Sequence, residues 1–227
     1  MRSYEHRIVL AAMLLILAMT VVGCAQREQS TGEGVVVPTE RIDLWNGRNF
    51  NDWSFHLEDQ SVDPNQVWEI RDGVIYCSGQ PNGYMRTSQS YATYKLHVEW
   101  RWPEEAGNSG VFLHMQEPDN IWPKSIECQL MAGNAGDFVA FADVNFSERT
   151  DMSSRVVRKM AESSENPAGE WNAYDITCSG DSIRVEVNGV LQNVATGTTI
   201  QQGKICLQSE GAPIEFRNVY LDPLNME

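Results

Sequence analysis

The segment NSGVFLHMQEPDNIWPKSIECQLM, residues 108–131, indicates how this chain folds. It holds two short apolar runs separated by a loop rich in proline, aspartate and asparagine, which predicts two strands joined by turns. Because strand side chains alternate between faces, Glu127 and Gln129 are predicted to share one face of the second strand. The same alternation puts His114 on one face of the first strand. We therefore expect a carboxylate, a carboxamide and an imidazole to meet on one sheet surface.

Outside this segment, most of the chain also has the pattern of short strands. Residues 91–102 alternate cleanly between apolar and polar side chains, which is typical of a half-buried strand. The pairs Asp72-Gly73 and Asn188-Gly189 predict tight hairpin turns. Residues 153–163 are the exception, since their apolar residues have helical spacing and predict one helix. Many short strands with almost no helix predict an all-β fold, a jelly-roll sandwich of two antiparallel sheets.

The N-terminus has the features of an export signal. A charged start and an apolar run over residues 1–23 are followed by Cys24, and this arrangement resembles the lipobox of bacterial lipoproteins. An ordinary secretory signal with a chance cysteine is the alternative. Residues 24–38 are polar and aperiodic, which predicts a flexible linker before a domain over residues 39–225. We expect an exported protein that is attached by lipid to the bacterial cell envelope and meets the membrane only through that lipid.

Composition restricts the classes of partner and of metal site. The formal net charge of −14 disfavours nucleic acid as a partner. The four cysteines of the predicted domain stand singly in strand-like runs, which disfavours zinc and favours buried free thiols. They are Cys77, Cys128, Cys178 and Cys206. A disulfide between Cys178 and Cys206 is left open. No cofactor is evident; Asp137 and Asp143 can offer oxygen ligands to a calcium ion, although their spacing assigns no site.

Several motifs, in this order along the domain, resemble the 3-keto-disaccharide hydrolase family. They are Leu44-Trp45-Asn46-Gly47 with Trp53, Trp68 with Asp72-Gly73-Val74, Asn108-Ser109-Gly110-Val111, Ser125-Ile126-Glu127-Cys128-Gln129, Gly169-Glu170-Trp171-Asn172, Val187-Asn188-Gly189, and Leu207-Gln208 with Phe216-Arg217-Asn218. The resemblance implies a concanavalin A-like jelly roll whose concave face holds a sugar. It also implies activity on glycosides oxidised at carbon 3. Where similar proteins often carry arginine, this chain has His114.

Cleavage of a 3-keto glycoside needs one base and a group that holds an oxyanion. The ketone acidifies the proton on carbon 2, and its removal gives an enolate that expels the group on carbon 1 before water adds. Glu127 is the candidate base. His114, Asn108 and Lys124 are candidates to stabilise the oxyanion or to assist the leaving group.

Binding of the sugar is assigned to side chains near the candidate base. Asn108, Gln129, Trp122 and Lys124 are the predicted substrate-binding residues, with Trp122 as an aromatic plate for a sugar ring. Each also has a plainer explanation. Asn108 can make a turn, Trp122 can anchor its loop, Lys124 can be a surface charge, and His114 can be a structural histidine.

Three other functions compete with the 3-keto-glycoside activity. A retaining glycosidase needs two carboxylates about 5–5.5 Å apart. The face that carries Glu127 continues with Gln129 and Met131, so the second acid is missing there unless Glu99 supplies it from another strand. A lipid-anchored, lectin-like glycan-binding module without catalysis is the main alternative. A structural protein of the envelope is the third.

Overall fold

The computed structural model describes residues 34–224. The predicted signal, Cys24 and most of the predicted linker lie outside these residues. The described chain forms one short 3-10 helix, Pro64–Gln66, and fifteen strands. The strands are β1 (Ile42–Asp43), β2 (Trp53–Leu57), β3 (Trp68–Arg71), β4 (Val74–Cys77), β5 (Gly83–Thr87), β6 (Tyr94–Arg101), β7 (Gly110–Met115), β8 (Ile126–Gln129), β9 (Phe138–Ala140), β10 (Val156–Val157), β11 (Asn172–Ser179), β12 (Ser182–Val187), β13 (Val190–Ala195), β14 (Lys204–Ser209) and β15 (Ile214–Pro223).

The strands form two antiparallel sheets. One follows the order β13-β12-β11-β6-β15-β4-β3, with β1 beside β15, and the other follows β10-β9-β8-β7-β14-β5-β2. Apolar side chains such as Trp100 and Tyr174 of the first sheet and Leu113 and Ile126 of the second belong to one buried core. Burial of this apolar surface holds the two layers together. The predicted all-β, concanavalin A-like jelly-roll sandwich is confirmed.

Two predicted hairpin turns are also confirmed. Asp72 and Gly73 connect β3 to β4 with φ values of 52° and 80°, and Asn188 and Gly189 connect β12 to β13 with values of 50° and 77°. Both turns need two consecutive left-handed residues, a conformation that asparagine, aspartate and glycine tolerate best.

The helix predicted over residues 153–163 is wrong. The segment instead contributes β10, which pairs with β9. Asp137 beside β9 holds the next residues in place, because its carboxylate accepts from the Arg158 side chain at 2.7 Å and from the Lys159 backbone N–H at 2.8 Å. Met160, one of the apolar residues at helical spacing, is 63% exposed. Tertiary hydrogen bonds therefore override a weak helical periodicity.

All four cysteines are buried free thiols, as predicted. Cys178 belongs to the core between the sheets, whereas Cys206 belongs to an apolar cluster on the other side of the seven-stranded sheet. That sheet separates the two sulfurs, so the disulfide left open by the sequence does not form.

The two aspartates considered for calcium are each neutralised by a cation. Asp137 pairs with Arg158, and Asp143 pairs with Lys124 at 2.8 Å. Within residues 34–224, no group of three or more histidine, cysteine, aspartate or glutamate side chains is arranged to hold a metal ion. Among the same residues, no helix is both long and apolar enough to cross a membrane.

Candidate active site

The outer face of the seven-stranded sheet, turned away from the core, carries a second apolar cluster. Its buried members are Tyr84, Phe112, Met115, Val139, Phe141 and Cys206. Trp122, from the loop between β7 and β8, packs against this cluster and stacks on Phe141 with ring centroids 5.6 Å apart. An outer sheet face is usually solvated, but this cluster is buried, and Trp122 above it is the aromatic side chain that remains partly exposed.

Glu127 lies on this outer face. Its neighbours along β8, Ile126 and Cys128, point into the core, and strand alternation directs Glu127 the opposite way. The side chain reaches across β7 and lies directly over Gly110, where an added Cβ would stand only 2.1 Å from Oε1. Because Gly110 has no side chain, it leaves room for this carboxyl group.

The carboxyl group of Glu127 is buried without a partner for one oxygen. The residue is 2% exposed, and Oε1 has no hydrogen bond among the described residues. Burial raises its pKa well above the usual glutamate range. The charge of Glu210 raises this pKa further, and Arg155 opposes the rise. A desolvated carboxylate with a raised pKa is a stronger base than a carboxylate in water. Abstraction of a proton from carbon requires such a base.

Two amide side chains also border Gly110, and each has buried polar atoms without a well-formed hydrogen bond. Gln208 follows Leu207, which pairs with Val111, so Gln208 stands beside Gly110 on β14. Neither atom of its carboxamide makes a well-formed hydrogen bond, and Oδ1 of Asn108 is likewise buried and unpaired. Unsatisfied buried polar atoms cost about 1–3 kcal/mol each. Three such groups around one glycine mark the place where a polar ligand gives the most stabilisation.

The far side of the same face carries an ion pair. Arg86 on β5 donates two hydrogen bonds to the Asp119 carboxylate, at 2.8 and 2.9 Å, and the Tyr84 hydroxyl donates to the same carboxylate at 2.9 Å. Arg86 and Tyr84 hold the pKa of Asp119 below its usual range, although burial opposes them most strongly. These bonds fix the loop between β7 and β8 over the sheet face.

His114 does not share the face of Glu127, and that prediction is wrong. Its φ of 54° breaks the alternation, and the pairing of β7 with β14 shifts register at the same place. The bulge turns the ring into the layer between the sheets, where it meets Tyr94 with centroids 5.8 Å apart. Burial lowers its pKa to about 4, so the ring stays neutral above that pH.

The other predicted binding residues fall in four settings. Asn108 borders Gly110, and Trp122 lies over the apolar cluster. Gln129 uses its carboxamide oxygen to accept from the backbone N–H groups of Leu130 and Met131. Lys124 forms its ion pair with Asp143 rather than with Glu127.

Sequence reasoning missed Gln208, Glu210, Arg155 and Arg86 at this face. The Leu207-Gln208 pair belonged to the family-like motifs, but nothing in it said which strand β14 joins. Arg86 carries no sequence signal that pairs it with Asp119, which lies 33 residues away in the chain. In the structure β5 lies between β14 and β2, so its side chains face the cluster.

A separate polar hollow of about 300 Å³ lies on the outer face of the eight-stranded sheet. Its central imidazole, His97, is held by Asp175 at 2.7 Å and stacks on Tyr220 with centroids 4.8 Å apart. Asp175 and the nearby Glu99 raise the pKa of His97 against the effect of burial, Asp175 most strongly. Both ring nitrogens of this histidine face carboxylates, Nδ1 towards Asp175 and Nε2 towards Glu99 at 3.7 Å. The Glu127 face offers the stronger chemistry, although its carboxyl group is reached only when the covering side chains move.

Comparison with known proteins identifies the domain. Residues 40–222 match the model of the 3-keto-alpha-glucoside-1,2-lyase-like domain. Because the match covers most of the chain, it confirms the resemblance drawn from the motifs. A search among curated proteins finds no match.

Solved structures share the fold at low sequence identity. A glycosyl hydrolase candidate from Parabacteroides distasonis is 22% identical, covering 82% of this chain and 94% of that one, with a TM-score of 0.62. The β-glucanase of Bacillus licheniformis is 16% identical over 82% and 99% of the two chains, with a TM-score of 0.57. The carbohydrate-binding module CBM66 of Bacillus subtilis is 10% identical over 77% and 97%, with a TM-score of 0.56. At these identities the likeness establishes the jelly-roll fold alone.

Proposed function

The chain belongs to the 3-keto-alpha-glucoside-1,2-lyase-like domain family, and from that premise we propose that it cleaves 3-keto glycosides, with Glu127 as the base. The observation that carries the proposal is the buried carboxyl group over Gly110, with a raised pKa and an unpaired oxygen. Burial of an unpaired carboxyl group lowers stability, so its presence on an outer sheet face favours a chemical role.

The reaction begins with proton transfer from carbon to Glu127. The carboxylate takes the proton on carbon 2, and the electrons of that C–H bond form an enolate with the adjacent ketone. The carboxamide nitrogen of Gln208, which is buried and makes no well-formed hydrogen bond, can donate to the enolate oxygen. The enolate then forms the C1=C2 double bond and expels the aglycone oxygen from carbon 1. Addition of water to that double bond completes a net hydrolysis.

Trp122, which is half-buried above the apolar cluster, supplies the binding surface for the ring. Trp122 and Phe141 stack nearly parallel, 18° apart, beside Phe112. Aromatic faces pack against the C–H groups of a sugar, while the amides of Asn108 and Gln208 can bond its hydroxyl and keto oxygens. This division into an apolar floor and a few polar groups fits a carbohydrate ligand.

Glu127→Gln tests the assignment, because the amide keeps the shape of the side chain and loses the base. Purified protein and variant are incubated with 4-nitrophenyl 3-keto-glucoside, and phenolate release is followed. We expect release by the wild type and a fall of at least about 100-fold in the variant. Equal rates in the two proteins would contradict the assignment of Glu127.

A lectin-like module remains the second candidate, because a carbohydrate-binding module shares this fold. It predicts binding of unoxidised glucosides by calorimetry with no release from any oxidised substrate. The Glu127→Gln variant would then bind the sugar at least as well as the wild type, because it removes a buried carboxyl group whose desolvation costs free energy.

We also propose that the protein is exported and anchored by lipid at Cys24. This rests on the apolar run before Val21-Val22-Gly23-Cys24. In this proposal the protein contacts the membrane only through its lipid, and the domain recognises a carbohydrate.

A further inference from the structure

A second carboxyl group, Glu210, stands beside the candidate base on the same sheet face. Glu210 directly follows β14 and forms an isolated antiparallel bridge with Asn108. It lies two residues beyond Gln208, so strand alternation places both side chains on one face. Glu127 is buried beneath this region, whereas Glu210 is half-buried at its rim. The face therefore holds one carboxyl group at its floor and one at its edge.

Elimination from an α-glucoside needs two proton-transfer groups. In its chair form, the C2–H bond and the C1–O bond of a 3-keto α-glucoside lie on opposite faces of the ring. A single carboxyl group beneath the ring reaches the hydrogen and cannot also reach the departing oxygen. Alcohol and sugar leaving groups depart slowly as anions, so a proton must be supplied from the other face.

We propose that Glu210 is the general acid of this site, protonating the departing oxygen on carbon 1 while Glu127 takes the proton from carbon 2. This assignment rests on the proposed 3-keto-glycoside activity. In this arrangement Glu127 lies on one face of the bound sugar ring and Glu210 lies on the other.

The electrostatics of the rim link Glu210 to the candidate base. Burial raises the pKa of Glu210, while Gln208 and Arg155 oppose the rise. Arg155 is exposed and its guanidinium lies 5.4 Å from the centre of the Phe141 ring, so it projects over the same face. Glu127 is buried more deeply and its pKa is raised further, so the reactive form is the minor protonation state, with Glu127 ionised and the proton on Glu210. Because the charge of Glu210 also acts on Glu127, the two titrate as a coupled pair.

The steps balance without any other reagent than water. The C2–H bond breaks and its proton moves to Glu127; the C1–O bond breaks and the leaving oxygen takes the proton of Glu210. The products are the free alcohol and an unsaturated 3-keto sugar with a C1=C2 double bond. Water then adds its oxygen to carbon 1 and gives a proton to Glu210, while Glu127 returns its proton to carbon 2. Both carboxyl groups end in their starting states.

The test is the dependence of the rate on the leaving group. Wild type, Glu210→Gln and Glu127→Gln are assayed with methyl and 4-nitrophenyl 3-keto-α-glucosides, and deuterium uptake at carbon 2 is measured in deuterated water. We expect Glu210→Gln to lose at least about 100-fold in kcat/KM on the methyl substrate and less than about tenfold on the 4-nitrophenyl substrate. The same variant should still exchange the carbon 2 hydrogen, and Glu127→Gln should lose exchange and release together.

The outcomes separate failure of this inference from failure of the proposed function. Equal losses on both substrates, or loss of exchange in Glu210→Gln, would overturn the role of Glu210 while the activity stands. A wild type that neither releases an aglycone nor exchanges the hydrogen of any 3-keto glucoside would overturn the activity itself. Release from unoxidised glucosides would instead make Glu127 and Glu210 the carboxylate pair of an ordinary glycosidase. Glu105→Gln, an exposed glutamate in the loop after β6, is the matched control and should behave as wild type.

Discussion

Replacing Gly110 by alanine should displace the candidate base without removing it. A Cβ built at residue 110 stands 2.1 Å from Oε1 of Glu127 and 2.8 Å from its Cδ and Cγ, whereas such contacts are essentially never closer than 3.0 Å. The carboxyl group must therefore move by about 0.9 Å. A misplacement of about 1 Å can cost on the order of 100-fold in rate. The extra methyl group in a packed site should also cost about 1–3 kcal/mol of stability.

The assay compares kcat/KM on 4-nitrophenyl 3-keto-glucoside for Gly110→Ala, Glu127→Gln and the double variant. If the methyl group acts through Glu127, the double variant should be no slower than Glu127→Gln alone, because the two changes remove the same function. Gly34→Ala is the control, since nothing lies within 4 Å of its built Cβ. Wild-type activity in Gly110→Ala, or losses that multiply in the double variant, would refute the geometry argued for this site.

Three further predictions concern pH and location. The rising limb of the pH–rate profile should lie above the usual glutamate range, because the base must ionise and burial raises the pKa of Glu127; a limb near pH 4 would contradict this. His97 has a raised pKa, so its pairing with Asp175 stabilises the fold below the unfolded pKa and is lost as pH rises through the folded pKa. The stability gap between wild type and His97→Gln in urea should therefore be larger at pH 5 than at pH 9, and a constant gap would exclude this coupling. Cys24→Ala should move the protein from the membrane fraction to the soluble fraction, and unchanged fractionation would exclude the lipid anchor.

The placement of Glu127 was predictable because it depends only on local alternation. Ile126 and Cys128 are apolar and enter the core, so the residue between them must face outward in any regular strand. The hairpin turns were predictable for the same reason, since Asp72-Gly73 encodes its own left-handed conformation. In each case the information lies within a few residues of the feature.

The partners of Glu127 were not predictable, because they arrive through strand pairing between distant segments. Nothing in the residues of β14 shows that this strand inserts between β7 and β5. That insertion places Gln208 beside Gly110 and brings Glu210 against Asn108. Pairing order is decided by how all the strands bury their apolar faces together, so one strand pattern cannot specify it.

His114 shows how one backbone irregularity moves a residue to the opposite face. Alternation would place it beside Phe112 on the outer face, but the bulge sends its ring to Tyr94 and returns Met115 to the outer cluster. The bulge depends on Gly203, because a Cβ there would stand 2.5 Å from the carbonyl carbon of His114. A glycine far away in the sequence thus permits the close backbone approach that decides the direction of this side chain. The oxyanion role predicted for His114 requires its ring to lie on the outer face, and the bulge turns the ring away from that face. The buried carboxamide of Gln208 lies on the outer face instead.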